Sequence, residues 1–343
     1  MADPSTNSRP RITSADPNFA LPGGEIRIWG AHLMSAATGR PEVRFGEERG
    51  AVVFGSSDSI VARVPEDGTG PLTIATTAVS EPFDVTIAQT IAENLHPVAN
   101  PAVDRDGNIF ATFSGSRGQA VPVAIYKIDP EYNITPYVSE MMNATGLALD
   151  SEGFLYVSSR MDGTVYRVAP NGSISVYAQG MGVATGIAFD HERNLYVGDR
   201  SGTIFKIATD RQIYVYATLE PSVAAYHLAF SPNGNLYVSS PTTSSNDAVY
   251  EIDPHGDVTV FFRGLGRPQG LAFDFDGNMF VAASYGGRRG IVRITPDRNA
   301  SLFVSGNDIV GLAFAPNRST IIATNDAVHY LAWDVPGRVL VAD

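Results

Sequence analysis

One phrase recurs along the chain at a nearly constant interval. The stretch GLALDSEGFLYVSSRMDGTVYRV at 146–168 is followed by GIAFDHERNLYVGDRSGTIFKI at 186–207. The residues that close the first apolar run of each copy are Asp104, Asp150, Asp190, Ser231, Asp274 and Ala315. By subtraction, these anchors lie 46, 40, 41, 43 and 41 residues apart. Six copies therefore fill the chain from about residue 92 to residue 343, and repetition at this period constrains the fold most strongly.

Every copy has the same internal order. An apolar run is followed by a turn of the type DRDGN (104–108), a β-rich run such as FLYVSS, a polar loop and an alternating run such as TVYRV. A second turn leads to a fourth run such as SISVYAQ. Four short strands in about 40 residues, without a helical period, are typical of a propeller blade. The sequence therefore predicts a six-bladed β-propeller over 92–343, in preference to an array of β-sandwiches.

The ring of blades needs one strand from outside the six copies. Two segments match the fourth-strand pattern, DVTIAQ at 84–89 and RVLVAD at 338–343. Either segment is predicted to complete the sixth blade.

The first eighty residues lack the repeated phrase. They read as short β-rich runs separated by Pro and Gly, as in PGGEIRIWG and SIVARVPEDGTG. Such a pattern favours a small immunoglobulin-like sandwich over residues 10–88. The predicted fold class is all-β, with this sandwich followed by the propeller.

Both parts resemble known families. The pattern P-x-I, then PGG-x-I-x-I-x-G, V-x-FG and A-x-VP resembles the IPT/TIG domains, which implies an accessory or interaction module. The phrase PQGLAFDFDGNMFVAAS at 268–284 and its copies resemble NHL repeats and the senescence-marker/gluconolactonase and streptogramin lyase propellers. This second resemblance implies the fold, and it is compatible with either an enzyme or a binding protein.

Composition limits the partners and the chemistry. The absence of cysteine excludes disulfides, thiolate zinc sites and a cysteine nucleophile. A net charge of −12 disfavours nucleic acid, and no apolar run is long enough to cross a membrane. The start MADPSTNSRP shows no leader, so we expect a cytoplasmic protein, or an exported one if a leader has been removed. We expect a monomer.

The starts of the inner strands decide whether a metal is expected. In the lactonase branch, the resemblance implies an axial calcium held by acidic and amide side chains at these positions. Here the first ring of residues is Ala99, Thr145, Thr185, Tyr226, Gln269 and Val310, and the next is Asn100, Gly146, Gly186, His227, Gly270 and Gly311. Neither ring holds a carboxylate, which a calcium site needs for strong binding. We therefore expect no metal and no cofactor.

Polar residues nevertheless break the glycine ring. Asn100 and His227 replace Gly, and Tyr226 and Gln269 stand at the neighbouring level. One interpretation is that these groups bind each other and ordered water. The other is a polar pocket at the mouth of the channel for a small neutral or anionic ligand, with the ring residues Thr145 and Thr185 beside it.

The loops between second and third strands add positive charge to the same predicted face. They carry Arg160, Arg200, Arg288 and Arg289, whose guanidinium groups suit carboxylate or phosphate. His96 and Asp199 complete the predicted binding set. Ordinary loop pairing of Arg160 with Asp162 and of Arg200 with Asp199 is the alternative. The long first-blade loop at 114–122 is a further candidate.

Three functions follow from these features. The leading one is a propeller that binds a small polar or anionic ligand, or a partner's loop, at the mouth of the channel. The second is a gluconolactonase-like hydrolase or a related lyase, with His227 as general base. The third is a structural or adhesion module.

Overall fold

A computed structural model describes residues 9–34, 39–113, 121–139, 141–244 and 246–339, and the backbone of 341–342. Its described residues form strands and turns and no helix. They fall into two compact units. The first comprises the described residues up to Gln89 with Arg288–Ile291 and Leu302–Asn307, and the second comprises the remainder.

The first unit is the predicted sandwich. Its strands are β1 (Arg11–Asp16), β2 (Phe19–Ala20), β3 (Glu25–Ala31), β4 (Glu42–Phe45), β5 (Glu48–Gly55), β6 (Ser59–Arg63), β7 (Leu72–Ala75) and β8 (Thr86–Ile87). Six of them pair in the order β1-β3-β6-β5-β4-β7. Alternation sets the core, because Ile26 and Ile28 are buried on either side of the exposed Arg27. They pack with Phe45, Ile60 and other buried side chains.

The six predicted blades lie mostly in the second unit, and part of blade five is assigned to the first. Their strands are β9 (Gln89–Glu93), β10 (Ala102–Val103), β11 (Ile109–Thr112), β12 (Val123–Ile128), β13 (Ile134–Ser139), β14 (Ala144–Asp150), β15 (Leu155–Ser159), β16 (Thr164–Val168), β17 (Ile174–Ala178), β18 (Ala184–Phe189), β19 (Leu195–Asp199), β20 (Thr203–Ile207), β21 (Ile213–Thr218), β22 (His227–Phe230), β23 (Leu236–Ser239), β24 (Asp247–Ile252), β25 (Val258–Leu265), β26 (Leu271–Phe273), β27 (Met279–Tyr285), β28 (Arg288–Ile294), β29 (Ala300–Ser305), β30 (Ile309–Phe314), β31 (Ser319–Thr324), β32 (Ala327–Ala332) and β33 (Val341–Ala342). Blades one to five are β10–β13, β14–β17, β18–β21, β22–β25 and β26–β29, and blade six is β30-β31-β32-β9.

The strand that completes blade six begins at the end of one predicted segment. The prediction for DVTIAQ was right only at Gln89: β9 starts there and lies beside β32, whereas Thr86–Ile87 of the same segment form β8 and pair with β2. The alternative, RVLVAD, was wrong: β33 pairs in parallel with β14 of blade two, Val341 opposite Leu149. After β32 the chain turns away at Asp334, whose φ is 52°, and at Pro336. Arg338 N then donates to Phe273 O, which directs the segment along the ends of the inner strands.

An anchor Asp and a Tyr six residues later occur together in blades two and three, where they link neighbouring blades. Asp190 Oδ1 accepts from Glu192 N at 2.9 Å and Asn194 N at 2.8 Å, which fixes the turn after the inner strand. Tyr196 donates to Asp190 Oδ2. Its ring packs between Tyr216 of the same blade, at 4.8 Å, and Phe230 of the next blade, at 4.9 Å. Blade two has the same arrangement, in which Tyr156 donates to Asp150 Oδ2 at 3.1 Å.

Antiparallel pairing divides the turns between two faces of the propeller. We call the face with the turns between first and second strands the turn face. The opposite face, with the loops between second and third strands, is the loop face. The sequence placed its candidate site on the loop face.

Candidate functional site

The glycine ring is a place of close backbone approach. A Cβ atom at Gly186 would lie 2.3 Å from Tyr226 O. One at Gly270 would lie 1.9 Å from the Oδ1 atom of Asn100 and 2.6 Å from the Cα of Gly311. Both distances are too short for any side chain, so the glycines are required by packing.

Asn100 fills the space that two of these glycines leave. Its Nδ2 donates to Leu271 O at 2.9 Å, and its Oδ1 accepts from Leu312 N at 3.1 Å. The carboxamide therefore joins the inner strands of blades five and six from the start of blade one. This arrangement corresponds to the structural interpretation of the polar ring.

A small cavity lies on the axis beside Asn100. Its lining combines the ring with the apolar residues below it: Ala99, Asn100, Pro101, Ala102, Val103, Gly146, Leu147, Gly186, Ile187, His227, Leu228, Ala313 and Phe314. We call it the axial cavity. Its volume of about 30 Å³ is enough for one or two water molecules and too small for an organic ligand.

His227 lies against this cavity and is almost entirely buried. Only 2% of its surface is exposed. Burial lowers the pKa of His227 to about 4, and a hydrogen bond with the side chain of Gln269 acts in the opposite direction. Its Nε2 atom has no hydrogen-bonding partner among the described residues, so a water molecule in the axial cavity would satisfy it. The catalytic role of His227 stays a prediction.

The first-ring residues bond to backbone. Thr185 Oγ1 donates to Gly198 O at 2.9 Å and accepts from Tyr226 N at 3.1 Å. Thr145 Oγ1 donates to Asn143 O at 3.1 Å. Tyr226 is fully buried and its hydroxyl donates to Glu220 O, and burial raises the pKa of this phenol to about 12. Gln269 is half-buried, and its backbone carbonyl oxygen accepts a hydrogen bond from Ser239 Oγ.

The loop-face residues are held mainly by neighbouring loops. Asp199 Oδ1 accepts from Val183 N at 2.8 Å, and Arg200 donates to Val223 O at 3.2 Å. Arg160 approaches Asn143 Oδ1 at 3.5 Å. His96 is exposed, with Nδ1 3.2 Å from Asn325 O.

Arg288 has a partner within the first unit. Its guanidinium donates to Asp16 Oδ2 at 2.5 Å and to Asp16 O at 2.6 Å. The candidate loop at 114–122 lies mostly outside the described residues. Of the predicted set, the structure brings Asn100, His227 and Gln269 together at the axis, and Arg288 belongs to another part of the molecule. Their roles in ligand binding stay predictions.

A much larger concavity lies on the turn face. It has a volume of about 440 Å³ and is lined by Arg105, Phe275, Ala315, Pro316, Arg318, Pro336, Gly337, Arg338 and Val339. We call it the arginine pocket. Its size falls in the range of small-molecule sites.

Three arginines from separate stretches of the chain line this pocket. Arg105 and Arg318 come from the turns of blades one and six, and Arg338 from the segment after β32. Arg338 is half-buried and donates to Ser231 O at 3.1 Å. Arg318 forms an ion pair with Asp334, Nε to Oδ1, at 2.9 Å, and both side chains are exposed.

The sequence analysis missed this pocket, although the repeat contains a signal for it. The residues after the six anchors are Arg105, Ser151, His191, Pro232, Phe275 and Pro316. Three of them, from the adjacent blades five, six and one, line the pocket. Arg318 stands where four copies have glycine, and it adopts a φ of 62° that glycine tolerates far better. Comparing the copies at the turns, and not only at the strand starts, would have identified these residues.

Two wider searches complete the description. Within the described ranges, no group of three or more His, Asp or Glu side chains is placed to share a metal ion. The same residues contain no helix with the length and apolar character of a membrane crossing.

Comparison with known proteins agrees with the two parts of the fold. Residues 10–89 match the IPT/TIG domain. No curated protein sequence matches the chain. Solved structures do match, among them an auxiliary nutrient-binding protein from Bacteroides thetaiotaomicron, 12% identical, with a TM-score of 0.56, covering 97% of this chain and 100% of its own.

Two further solved structures have enzyme names. A protein proposed to be a gluconolactonase is 18% identical over 73% of this chain and 93% of its own, with a TM-score of 0.59. A streptogramin B lyase is 15% identical over 96% of this chain and 95% of its own, with a TM-score of 0.52. At these identities the likeness concerns the fold. The chain thus combines a segment that matches the IPT/TIG domain with a propeller whose structural neighbours include a protein named as a gluconolactonase and a streptogramin B lyase.

Proposed function

We propose that this protein is a ligand-binding propeller and that its ligand carries an anionic group held in the arginine pocket. One observation carries the proposal: three arginines from separate stretches line a single concavity of about 440 Å³. The chain has a net charge of −12 and only 24 Lys and Arg residues. A basic pocket in such a protein attracts anions locally, where most of the surface repels them.

The chemistry of the lining supports an anion. A guanidinium group presents several N–H donors in a plane, which matches the oxygen atoms of carboxylate or phosphate. Arg318 is already paired with Asp334, but an exposed ion pair of this type contributes only about 0–1 kcal/mol. A ligand can therefore compete for Arg318 at little cost.

The proposal keeps the predicted class of ligand and changes its place. The sequence predicted a small polar or anionic ligand, or a partner's loop, at the mouth on the loop face. The axial cavity has room for only one or two water molecules, whereas the arginine pocket on the turn face has the volume of a small-molecule site. A binding role agrees with the name of one structural neighbour, the Bacteroides protein named for nutrient binding.

Calorimetric titration with acetate, benzoate and inorganic phosphate at low salt tests the proposal. We expect saturable binding of at least one anion, weakened about 10-fold or more in Arg105→Gln and in Arg318→Gly, because a hydrogen bond to a charged group contributes about 1.5–3 kcal/mol. Arg318→Gly should still fold, since glycine occupies this turn position in four copies.

Arg193→Gly is the matched control. Arg193 holds the same turn position in blade three, with a φ of 68°, and is absent from the pocket lining. It should leave anion binding unchanged. The proposal fails if no anion binds, or if Arg193→Gly weakens binding as much as Arg318→Gly.

A further inference from the structure

The exposed Phe275 is unusual for its place in the repeat. It occupies the turn position filled elsewhere by Arg105, Ser151, His191, Pro232 and Pro316, and 64% of its surface is exposed. No other copy places a large apolar side chain there. A single exposed aromatic residue is ordinary, but this one stands on the wall of the arginine pocket.

The backbone of Phe275 is held firmly. Asp274 fixes the turn by accepting from Asn278 N at 2.8 Å and from Asn278 Nδ2 at 2.7 Å. Phe275 N donates to Pro336 O at 3.2 Å. The aromatic side chain therefore projects from a rigid turn joined to the segment that forms another wall of the pocket.

The pocket thus combines two kinds of recognition. Pro316, Pro336 and Val339 add apolar surface to the ring of Phe275, and the arginines supply donors for an anion. Aromatic rings pair with other rings in stacked or edge-to-face geometry, beyond the general gain from apolar contact. Guanidinium forks bind carboxylates through two parallel hydrogen bonds.

We infer that the arginine pocket selects an aromatic carboxylate, with its carboxylate on the arginines and its ring against Phe275. This inference rests on the proposed function and names the ligand class of the same site. A carboxylate on a single aromatic ring fits within about 440 Å³.

Calorimetric titration with three carboxylates tests the inference: acetate, cyclohexanecarboxylate and benzoate, which carry a methyl, a saturated ring and an aromatic ring on the same carboxylate. We expect benzoate to bind about 10-fold or more tightly than acetate, and a few-fold more tightly than cyclohexanecarboxylate, because an aromatic pair adds about 0.5–1.5 kcal/mol to area burial. In Phe275→Ser, the affinity for benzoate should fall close to that for acetate.

The variant and its control separate specificity from folding. Serine occupies the Phe275 position in blade two, as Ser151, so Phe275→Ser should keep the turn. Phe54→Ser removes a phenylalanine that is 61% exposed in the first unit and should leave all three affinities unchanged. If acetate and benzoate bind equally, or if Phe275→Ser leaves benzoate binding intact, the aromatic inference fails while the anion site stands. If no carboxylate or phosphate binds, the proposed function itself fails.

Discussion

Replacement of Asn100 by alanine tests whether a single carboxamide holds the inner strands at the axis. The substitution removes the donor to Leu271 O and the acceptor for Leu312 N. Asn100 itself lines the axial cavity, which already has room for one or two water molecules. The variant enlarges this cavity by the volume of the amide.

The expected loss of stability follows from these two bonds. Each neutral hydrogen bond contributes about 0.5–1.5 kcal/mol, and a buried group left unpaired costs about 1–3 kcal/mol. Water entering the enlarged cavity would satisfy part of the loss, so we expect the free energy of unfolding of the propeller to fall by about 2–4 kcal/mol. Asn100→Asp should cost more at pH 8, because its carboxylate faces Leu271 O and is removed from bulk water.

The two tryptophans allow a direct assay. Trp29 lies in the first unit and Trp333 in the second. In a Trp29→Phe background, fluorescence during urea unfolding reports the propeller alone, which avoids a two-domain transition. Asn325→Ala, at an exposed asparagine, is the control and should stay within about 0.5 kcal/mol. A loss below about 0.5 kcal/mol for Asn100→Ala would refute the role assigned to the carboxamide.

Two further predictions concern charge. Asp334→Asn removes the partner of Arg318 and should raise anion affinity up to about fivefold in the same titrations; unchanged or weaker binding would contradict it. Burial lowers the pKa values of His227 and His329 to about 4. Below pH 6.5 the unfolded chain therefore takes up protons that the folded chain does not. The free energy of unfolding should fall as the pH drops from about 6.5 to 4. His227→Gln and His329→Gln should each reduce the slope of unfolding free energy against pH by about 1.4 kcal/mol per pH unit, as measured by urea unfolding. A slope that is the same in both variants as in the unmodified protein would rule the explanation out.

The spacing of the repeated phrase and the residues of its turns predicted most of the fold. The spacing of the anchors identified six blades because each copy supplies the inner strand and the following turn of one blade, as Asp190 illustrates in blade three. The closing strand was harder to assign. Six alternating residues, as in RVLVAD, fit any strand position, and the choice depended on where Asp334 and Pro336 turn the chain.

The axial residues were found from sequence, but the space around them was not. Asn100 and His227 stood out because they replace glycine in the ring. Whether such residues line a pocket or fill it depends on how closely the backbones approach, and Gly270 and Gly311 leave room for one carboxamide only. Partners distant in sequence were equally inaccessible, since nothing local connects Arg288 with Asp16, 272 residues away.

Departures from the repeat have two distinct origins in this propeller. At the axis, all six strands meet, so a departure such as Asn100 is absorbed by hydrogen bonds to its neighbours and contributes to closure. On the turn face, the tips of the blades stand apart, and a departure such as Phe275 gains no partner of comparable size within its own turn. Among the described residues, Arg318, which has a left-handed backbone, forms only the exposed ion pair with Asp334 as its charge contact. The proposed anion site would give Arg105, Phe275 and Arg318 one common role, which the titrations with acetate and benzoate test directly.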